Sequence, residues 1–188
     1  MTKKEYTVSK FMANVFGLLF SFLVIIIVLN FFRIFKEINL IDFLYILFGS
    51  KDSFLASSTF IIVVFLILAI LHEFLHAIGF ILFSDVGWKD IKFGIIWKGL
   101  MPYVYSKVPI SKSAYRIAIL LPGTTLGIVP LVCGMIFTNV LIAFVGAVMT
   151  GVSGGDLLII WMLRSIPSER KILDHPSECG FILINNND

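Results

Sequence analysis

Four apolar stretches, each long enough to cross a lipid bilayer as a helix, constrain this chain more than any other feature. A spanning helix needs about 20 apolar residues, and the stretches run over 11–32, 56–83, 114–137 and 140–163. Hydrophobic residues make up 59% of the 188 residues and charged residues only 14%, whereas a soluble domain carries about 25% charged residues. We therefore predict a single membrane-embedded all-α domain, residues 1–188, with about four transmembrane helices.

Two shorter regions allow more than one interpretation. The weaker apolar segment 38–48 carries Asp42, and it could lie at the interface, re-enter the membrane or pack against the bundle. In the 84–113 loop, between the second and third spans, residues 91–98 partly alternate apolar and polar side chains. This pattern is typical of short strands or a hairpin near the membrane surface. An irregular basic loop that binds anionic lipid headgroups is the alternative.

The distribution of basic residues predicts the orientation. Most of the 15 Lys and Arg residues lie in the N-terminal segment, in the 84–113 loop with Arg116, and after residue 163. Cytoplasmic loops carry such an excess of positive charge. We therefore expect a multi-pass protein of the cell membrane with both termini, including the polar tail 164–188, in the cytoplasm.

The second apolar stretch contains an H-E-x-x-H sequence at residues 72–76. Ionisable side chains inside a membrane are costly and usually functional. Residues four apart on a helix differ by about 40° around its axis, so His72 and His76 project from one face with the spacing that lets two imidazoles share a zinc ion. Glu73 points about 100° away from His72, where it can reach a metal-bound water. Alternatively, the three side chains satisfy one another without a metal.

A catalytic zinc takes about three protein ligands and keeps a position for water, so the motif needs a third ligand. Asp156 is the only acidic residue besides Glu73 inside a predicted span. In the predicted topology His72, His76 and Asp156 all lie about 10–17 Å below the cytoplasmic boundary, at about 1.5 Å per residue. The second choice is His175, which would have to fold back into the bundle. Asp156 could instead line a polar crevice or cap a broken helix.

Several sequence elements together point to a known family. They are the pentapeptide at 72–76, Gly155-Asp156-Leu157 in a later span, Asp-His-Pro at 174–176 and the Pro122-Gly123 break. Over about 56–163 the chain resembles the site-2-protease-like intramembrane metalloproteases, and more closely a group of small bacterial multi-pass proteins described as "putative zincin peptidases". In site-2 proteases the third ligand is an aspartate in a Leu-Asp-Gly setting, whereas Asp156 stands in Gly-Gly-Asp-Leu.

This interpretation predicts a bacterial zinc metallopeptidase with one Zn²⁺ held by His72, His76 and Asp156. The metal would activate a water, and Glu73 would act as general base and then as general acid. The expected substrate is a membrane protein or peptide, cleaved within or next to the bilayer, and no nucleic-acid partner is expected. The alternative is a non-enzymatic membrane protein of protease-like fold, such as a metal carrier or scaffold. A carrier should show polar positions strung across the membrane, whereas this chain has one cluster at one depth.

Overall fold

The computed structural model describes residues 4–96, 101–176 and 178–184. It is mostly helical, with two small antiparallel sheets. A π-helical segment, Gly123–Ile128, joins two of the helices, and a short 3₁₀ turn covers Trp88–Asp90. The α-helices are α1 (Lys10–Lys36), α2 (Leu40–Phe48), α3 (Phe54–Phe83), α4 (Lys112–Pro122), α5 (Val129–Ile136), α6 (Val140–Val152) and α7 (Gly154–Leu163). The strands are β1 (Lys4–Val8), β2 (Ile91–Ile96), β3 (Met101–Ser106), β4 (Ile110–Ser111), β5 (Lys171–Asp174) and β6 (Cys179–Ile184).

Long apolar helices dominate the described part of the chain. Three of them are long and apolar enough to cross a membrane: α1, α3, and the continuous Lys112–Ile136 unit formed by α4, the π segment and α5. Helices α6 and α7 are bent by 45° at their junction and would together make a fourth span. The expectation of about four long apolar helices is therefore confirmed in its coarse form, as three long apolar helices and one bent pair.

Small residues let α1 pack tightly against the bent α6–α7 pair. A Cβ built on Gly17 of α1 would lie 2.9 Å from the Gly151 carbonyl oxygen, and one on Gly154 would lie 2.7 Å from the Gly17 Cα. Such contacts leave no room for a side chain, so the backbones touch directly, as is usual between apolar helices in lipid. This packing fixes the position of the first turn of α7.

The short helix α2 accounts for the weaker apolar segment at 38–48. Asn39 caps it by accepting hydrogen bonds from the Ile41 and Asp42 amides, and the Asp42 side chain accepts from the Asn39 amide. This reciprocal capping box satisfies helix-end donors that would otherwise be unpaired. Phe43 and Leu47 are buried against the bundle, while the opposite face is exposed. The packing of this segment against the bundle, one of its three interpretations, is therefore observed.

The loop between α3 and α4 forms the expected hairpin. Strands β2 and β3 pair antiparallel, with Phe93 opposite Val104 and Gly94 opposite Tyr103. The Tyr103 ring covers Gly94, where a Cβ would lie only 2.4 Å from the ring. Strand β3 packs against α3. Residues 97–100, which include Lys98 of the predicted alternation, lie outside the described residues.

A four-stranded sheet in the order β1-β6-β5-β4 was not predicted, and the all-α fold class is wrong in this respect. From sequence, residues 164–188 are expected to form a polar tail, but Ile172 and Phe181 there are fully buried. These strands are short and their partners are distant in sequence, so no local pattern marks them. The sheet, which we call the terminal sheet, joins the N-terminal segment, the 84–113 loop and the tail at one end of the molecule.

An aromatic contact attaches the terminal sheet to the helices. Tyr115 of α4 stacks on Phe80 of α3, with ring centroids 5.9 Å apart, and meets the edge of Phe181 of β6 at 6.2 Å. All three rings are fully buried. The sheet therefore lies over the ends of α3 and α4, next to the turns that carry the H-E-x-x-H motif.

Candidate metal centre

Two helices supply a buried cluster of nitrogen and oxygen donors. His72 and His76 stand one turn apart on α3, are 5% and 6% exposed, and have ring centroids 4.9 Å apart. Asp156 enters from the first turn of α7. Its Oδ2 lies 3.2 Å from His72 Nε2 and its Oδ1 lies 3.4 Å from His76 Nε2. One potential ligand atom from each residue falls within 4.8 Å of the other two.

The break between α6 and α7 places Asp156. Helix α6 ends at Val152, and α7 begins at Gly154 after a bend of 45°. Gly154 is held against Gly17, as described above, so the first turn of α7 has a fixed position. A carboxylate in the first turn of a helix is favoured by the partial positive charge of the helix N-terminus. The bend thus presents Asp156 to the histidine face of α3.

A backbone carbonyl of α4 holds His76. The Nδ1 atom of His76 lies 3.0 Å from the Ala118 oxygen. A carbonyl oxygen can only accept, so Nδ1 carries the proton and donates. In the neutral ring Nε2 then keeps its lone pair, on the side that faces Asp156. Gly79 lets α3 and α4 approach closely enough for this hydrogen bond, since a Cβ there would lie 2.6 Å from the Ala118 Cα.

Glu73 lies beside the cluster and not within it. It is half-buried, and its carboxylate interacts electrostatically with His72, His76 and Asp156. Its carboxylate also lies close enough to the backbone of Val104 in β3 to interact with it. Sequence reasoning placed the hairpin near the membrane surface but did not anticipate its contact with Glu73. No side-chain pattern could have shown it, because the contacting group belongs to the backbone.

The donor set fits a zinc ion. Among the described residues, the buried atoms His72 Nδ1 and Asp156 Oδ2 have no well-formed hydrogen bond, although Asp156 Oδ2 lies 3.2 Å from His72 Nε2. An unsatisfied buried carboxylate oxygen is costly, and a bound cation would remove that cost. Two imidazoles and one carboxylate are ligands that zinc accepts, and three protein ligands leave a position for water.

The structure does not bring His175 into this cluster. Its Nδ1 accepts a hydrogen bond from the Glu178 amide at 2.8 Å, and its Nε2 lies 3.9 Å from Glu5 Oε2. The second choice for the third ligand therefore lies in the loop between β5 and β6 and has partners there.

The neighbouring Asp174 connects the terminal sheet to the site. It is 8% exposed, and the Tyr115 hydroxyl donates a hydrogen bond to its Oδ1 at 2.8 Å. Burial raises the pKa of the Asp174 carboxyl to about 7. Tyr115 is one turn from Ala118, whose carbonyl holds His76. The sequence marked Asp174 only as part of the Asp-His-Pro sequence at 174–176 and did not predict this contact.

A second contact joins the sheet to α7. The Cys179 thiol of β6 donates to the Gly155 carbonyl at 3.7 Å, one residue before Asp156. Burial raises the pKa of this thiol to about 12, so it remains protonated and able to donate at neutral pH. The terminal sheet therefore touches the backbone next to one cluster residue and, through Tyr115, the helix that holds another.

This geometry defines a class: a helical protein with a buried His-His-Asp centre and an adjacent glutamate. The family described as "putative zincin peptidase" matches residues 65–170, more than half of the chain. The chain belongs to this family, which confirms the predicted zincin relationship and suggests zinc-dependent peptide hydrolysis. The narrower likeness to site-2 proteases stays a prediction. No curated protein and no solved structure matches the chain.

Proposed function

We propose that this protein is a zinc-dependent peptidase that cleaves a peptide bond within or next to a membrane. The observation that carries the proposal is the approach of His72, His76 and Asp156 to within 4.8 Å of one another in an apolar helical bundle. Glu73, beside them, gives the cluster an acid–base group that mere metal storage would not need. The family match supports the same chemistry.

The mechanism assigns a role to each side chain. His72, His76 and Asp156 would hold one zinc ion, with two imidazoles and one carboxylate as its protein ligands. Bound zinc supplies Lewis acidity for the scissile carbonyl and lowers the pKa of a water. Glu73 accepts a proton from the attacking water at a carboxylate oxygen and delivers it to the leaving amine nitrogen. The Val104 backbone keeps Glu73 in place while it does so.

Strand β3 is the best candidate for holding the substrate. A peptide must be extended to be cleaved, since a helix hides its carbonyls in hydrogen bonds. β3 pairs with β2 along one edge, and its Val104 backbone reaches Glu73. An extended peptide added along β3 would bring its backbone next to the cluster, with main-chain hydrogen bonds providing affinity. The expected partner is therefore an unwound membrane protein or peptide, and not a nucleic acid.

The topology supports a location in the cell membrane, with both termini in the cytoplasm. β1 near the N-terminus pairs with β6 near the C-terminus, and β4 of the 84–113 loop pairs with β5. Segments that hydrogen-bond to one another lie on one side of a bilayer. These are the same segments that hold most of the basic residues, which favour the cytoplasmic side.

The decisive experiment combines zinc content with cleavage. The protein would be purified into lipid nanodiscs, its zinc measured by mass spectrometry, and cleavage of labelled transmembrane peptides and labelled casein followed. We expect Glu73→Gln to retain zinc and to lose cleavage by at least about 100-fold, since general acid–base catalysis contributes about 10²–10⁴. Glu37→Gln, at the exposed C-terminal end of α1, is the matched control and should behave as wild type.

Two results would contradict the proposal. Cleavage by Glu73→Gln at the wild-type rate would remove the general base from the mechanism. Zinc binding by the wild type without cleavage of any offered peptide would favour the rival, a metal-binding scaffold of protease-like fold. Loss of cleavage on chelation, with recovery on adding zinc, is expected if the metal is catalytic.

A further inference from the structure

We propose that Pro122 is a positioning residue for the metal centre. By lacking an amide hydrogen it leaves the Ala118 carbonyl available to orient the His76 ring. This inference rests on the proposed zinc site and adds a residue to it that none of the ligand patterns includes. It follows from three positions on two helices: Gly79, Ala118 and Pro122.

Helix geometry shows why Pro122 matters. In an α-helix the amide of residue i donates to the carbonyl of residue i−4, so the normal donor for Ala118 would be residue 122. Proline has no amide hydrogen. Pro122 ends α4 and is fully buried. The next amide, that of Gly123, donates to Leu120. The Ala118 carbonyl is thereby left without its helical donor.

His76 takes the acceptor that Pro122 leaves open. Ala118 is fully buried, and a buried carbonyl needs a hydrogen-bond partner. The His76 Nδ1–H supplies it at 3.0 Å. This bond fixes both the ring orientation and the position of the proton, leaving Nε2 as the atom that faces Asp156. Metal-binding histidines are commonly oriented in this way through their other ring nitrogen.

Gly79 brings the two helices close enough for the bond. It lies one turn beyond His76 on α3, and a Cβ there would come within 2.6 Å of the Ala118 Cα and 2.9 Å of its Cβ. In membrane helices a proline is tolerated when neighbouring groups satisfy the carbonyl it frees. Here that neighbouring group belongs to the metal site. Proline and glycine, one on each helix, therefore act together on the same histidine.

The test restores the missing amide with Pro122→Ala. The matched control is Pro130→Ala, the same chemical change in α5, where Pro130 lines an apolar groove with Phe65 and Leu141. Zinc affinity would be measured by chelator competition, thermal stability by unfolding in nanodiscs, and the histidine protonation by ¹⁵N NMR. The chain has only 3 histidines, so the ring resonances can be assigned by single substitutions.

We expect Pro122→Ala to weaken the His76 Nδ1 hydrogen bond, because the new amide competes for the Ala118 carbonyl. The signature is a shifted or lost Nδ1–H resonance for His76. Zinc affinity should fall about 10–100-fold, the usual cost of losing such a partner. Thermal stability should not fall, since the helix gains a hydrogen bond. If Pro122 had only a structural role, its replacement would weaken zinc binding only by lowering stability as well. Pro130→Ala should leave both the resonance and the affinity unchanged.

An unchanged His76 resonance and zinc affinity in Pro122→Ala would overturn the inference. If this variant does not fold, the ¹⁵N NMR spectrum of the wild type tests the inference, because it shows which nitrogen of His76 is protonated. Protonation of zinc-loaded His76 at Nε2 would overturn the inference, and protonation at Nδ1 with a slowly exchanging proton would support it. Failure of the wild type to bind zinc would defeat the proposed function instead. In that case, the protonation of His76 in the metal-free protein still tests the role of Pro122.

Discussion

At the scale of single residues, His72 and His76 differ in what holds their rings. His76 donates through Nδ1 to Ala118, whereas the Nδ1 of His72 has no hydrogen-bond partner within the described part of the chain. In the cluster His72 lies against the Asp156 carboxylate and the His76 ring. Asp156 therefore contacts both histidine rings. Its removal should reduce metal retention by more than the loss of one isolated negative charge would.

The first prediction compares the two candidates for the third ligand. Asp156→Ala should lose most of its bound zinc, since two histidines alone make a weak site and the carboxylate lies against both rings. His175→Ala should keep its full zinc content, because that ring is engaged with Glu178 and Glu5. Zinc per chain, measured on purified protein after dialysis, checks both. Full zinc content in Asp156→Ala would remove Asp156 from the site.

The second prediction concerns pH. Burial raises the pKa of Asp174 to about 7 in the folded protein, above its value of about 3.9 in an unfolded chain. The stabilising contribution of the protonated carboxyl is therefore complete below about pH 4 and is lost as the pH rises to about 7. The melting temperature of the metal-free protein should fall between pH 5 and pH 8. Asp174→Asn should show a smaller fall, and an identical fall in both proteins would contradict the assignment.

Sequence periodicity identified the residues that carry the proposed chemistry, but not the groups that support them. Helical spacing places His72 and His76 on one face, and equal depth brought Asp156 to the same level. Tyr115 gave no comparable signal, because it is an aromatic residue in an apolar run. Asp174 was marked only as part of the Asp-His-Pro sequence, which does not indicate a contact with Tyr115. A backbone carbonyl such as that of Ala118 leaves no trace in a pattern of side chains. The proline four residues later is nevertheless a physical indication that this carbonyl lacks its helical donor.

At the scale of the elements, hydropathy located the long helices well, because each of them is a long, continuous run of apolar residues. It did not reveal the π segment between α4 and α5, or the bend between α6 and α7 that aims Asp156. Both breaks depend on packing between helices as well as on local glycines and prolines. Hydropathy also missed the terminal sheet, whose strands are only 2–6 residues long.

The third prediction tests the crossing of α3 and α4. Gly79→Ala should separate the two helices, since its Cβ would lie 2.6 Å from the Ala118 Cα. Overpacking of this kind costs about 1–3 kcal/mol of stability, and the displaced carbonyl should also weaken zinc binding. Gly155→Ala is the control: its Cβ would meet Cys179 Sγ at 3.6 Å and Ala13 at 3.8 Å, ordinary contact distances.

The measurements are the unfolding midpoint and the zinc affinity of each variant. Gly155→Ala should be neutral or more stable by about 0.4–1 kcal/mol, as expected for a glycine replaced where the backbone permits it. If Gly79→Ala were as stable as wild type and bound zinc equally well, close contact between α3 and α4 would not be needed for the site.

At the scale of the whole molecule, the terminal sheet holds together three segments that are far apart in sequence. Val8 of β1 lies opposite Cys179 of β6. Directly opposed residues of antiparallel strands have Cα atoms about 4.5–5.5 Å apart, within the range of about 4.4–6.8 Å that a disulfide spans. The fourth prediction is that Val8→Cys forms a disulfide with Cys179 on mild oxidation.

The bond would be detected by mass spectrometry of peptides released without reduction. Thr7→Cys is the control, because its side chain points to the other face of the sheet and should not react with Cys179. Efficient cross-linking in Thr7→Cys, or none in Val8→Cys, would show that the register of β1 and β6 is different. A specific cross-link would also place both ends of the chain on one side of the membrane.

The strand order of the terminal sheet has a consequence for how the protein is made. Among the described strands of this sheet, β1 is translated before the others and its partner β6 after them, shortly after β5. In the proposed membrane topology the helices enter the bilayer during synthesis, whereas the complete sheet forms only after residues 179–184 have been translated. The contacts of Asp174 with Tyr115 and of Cys179 with Gly155 therefore form late. Until then the growing chain has the metal-binding residues without the sheet that packs beside their helices, so these supporting contacts depend on the synthesis of β6.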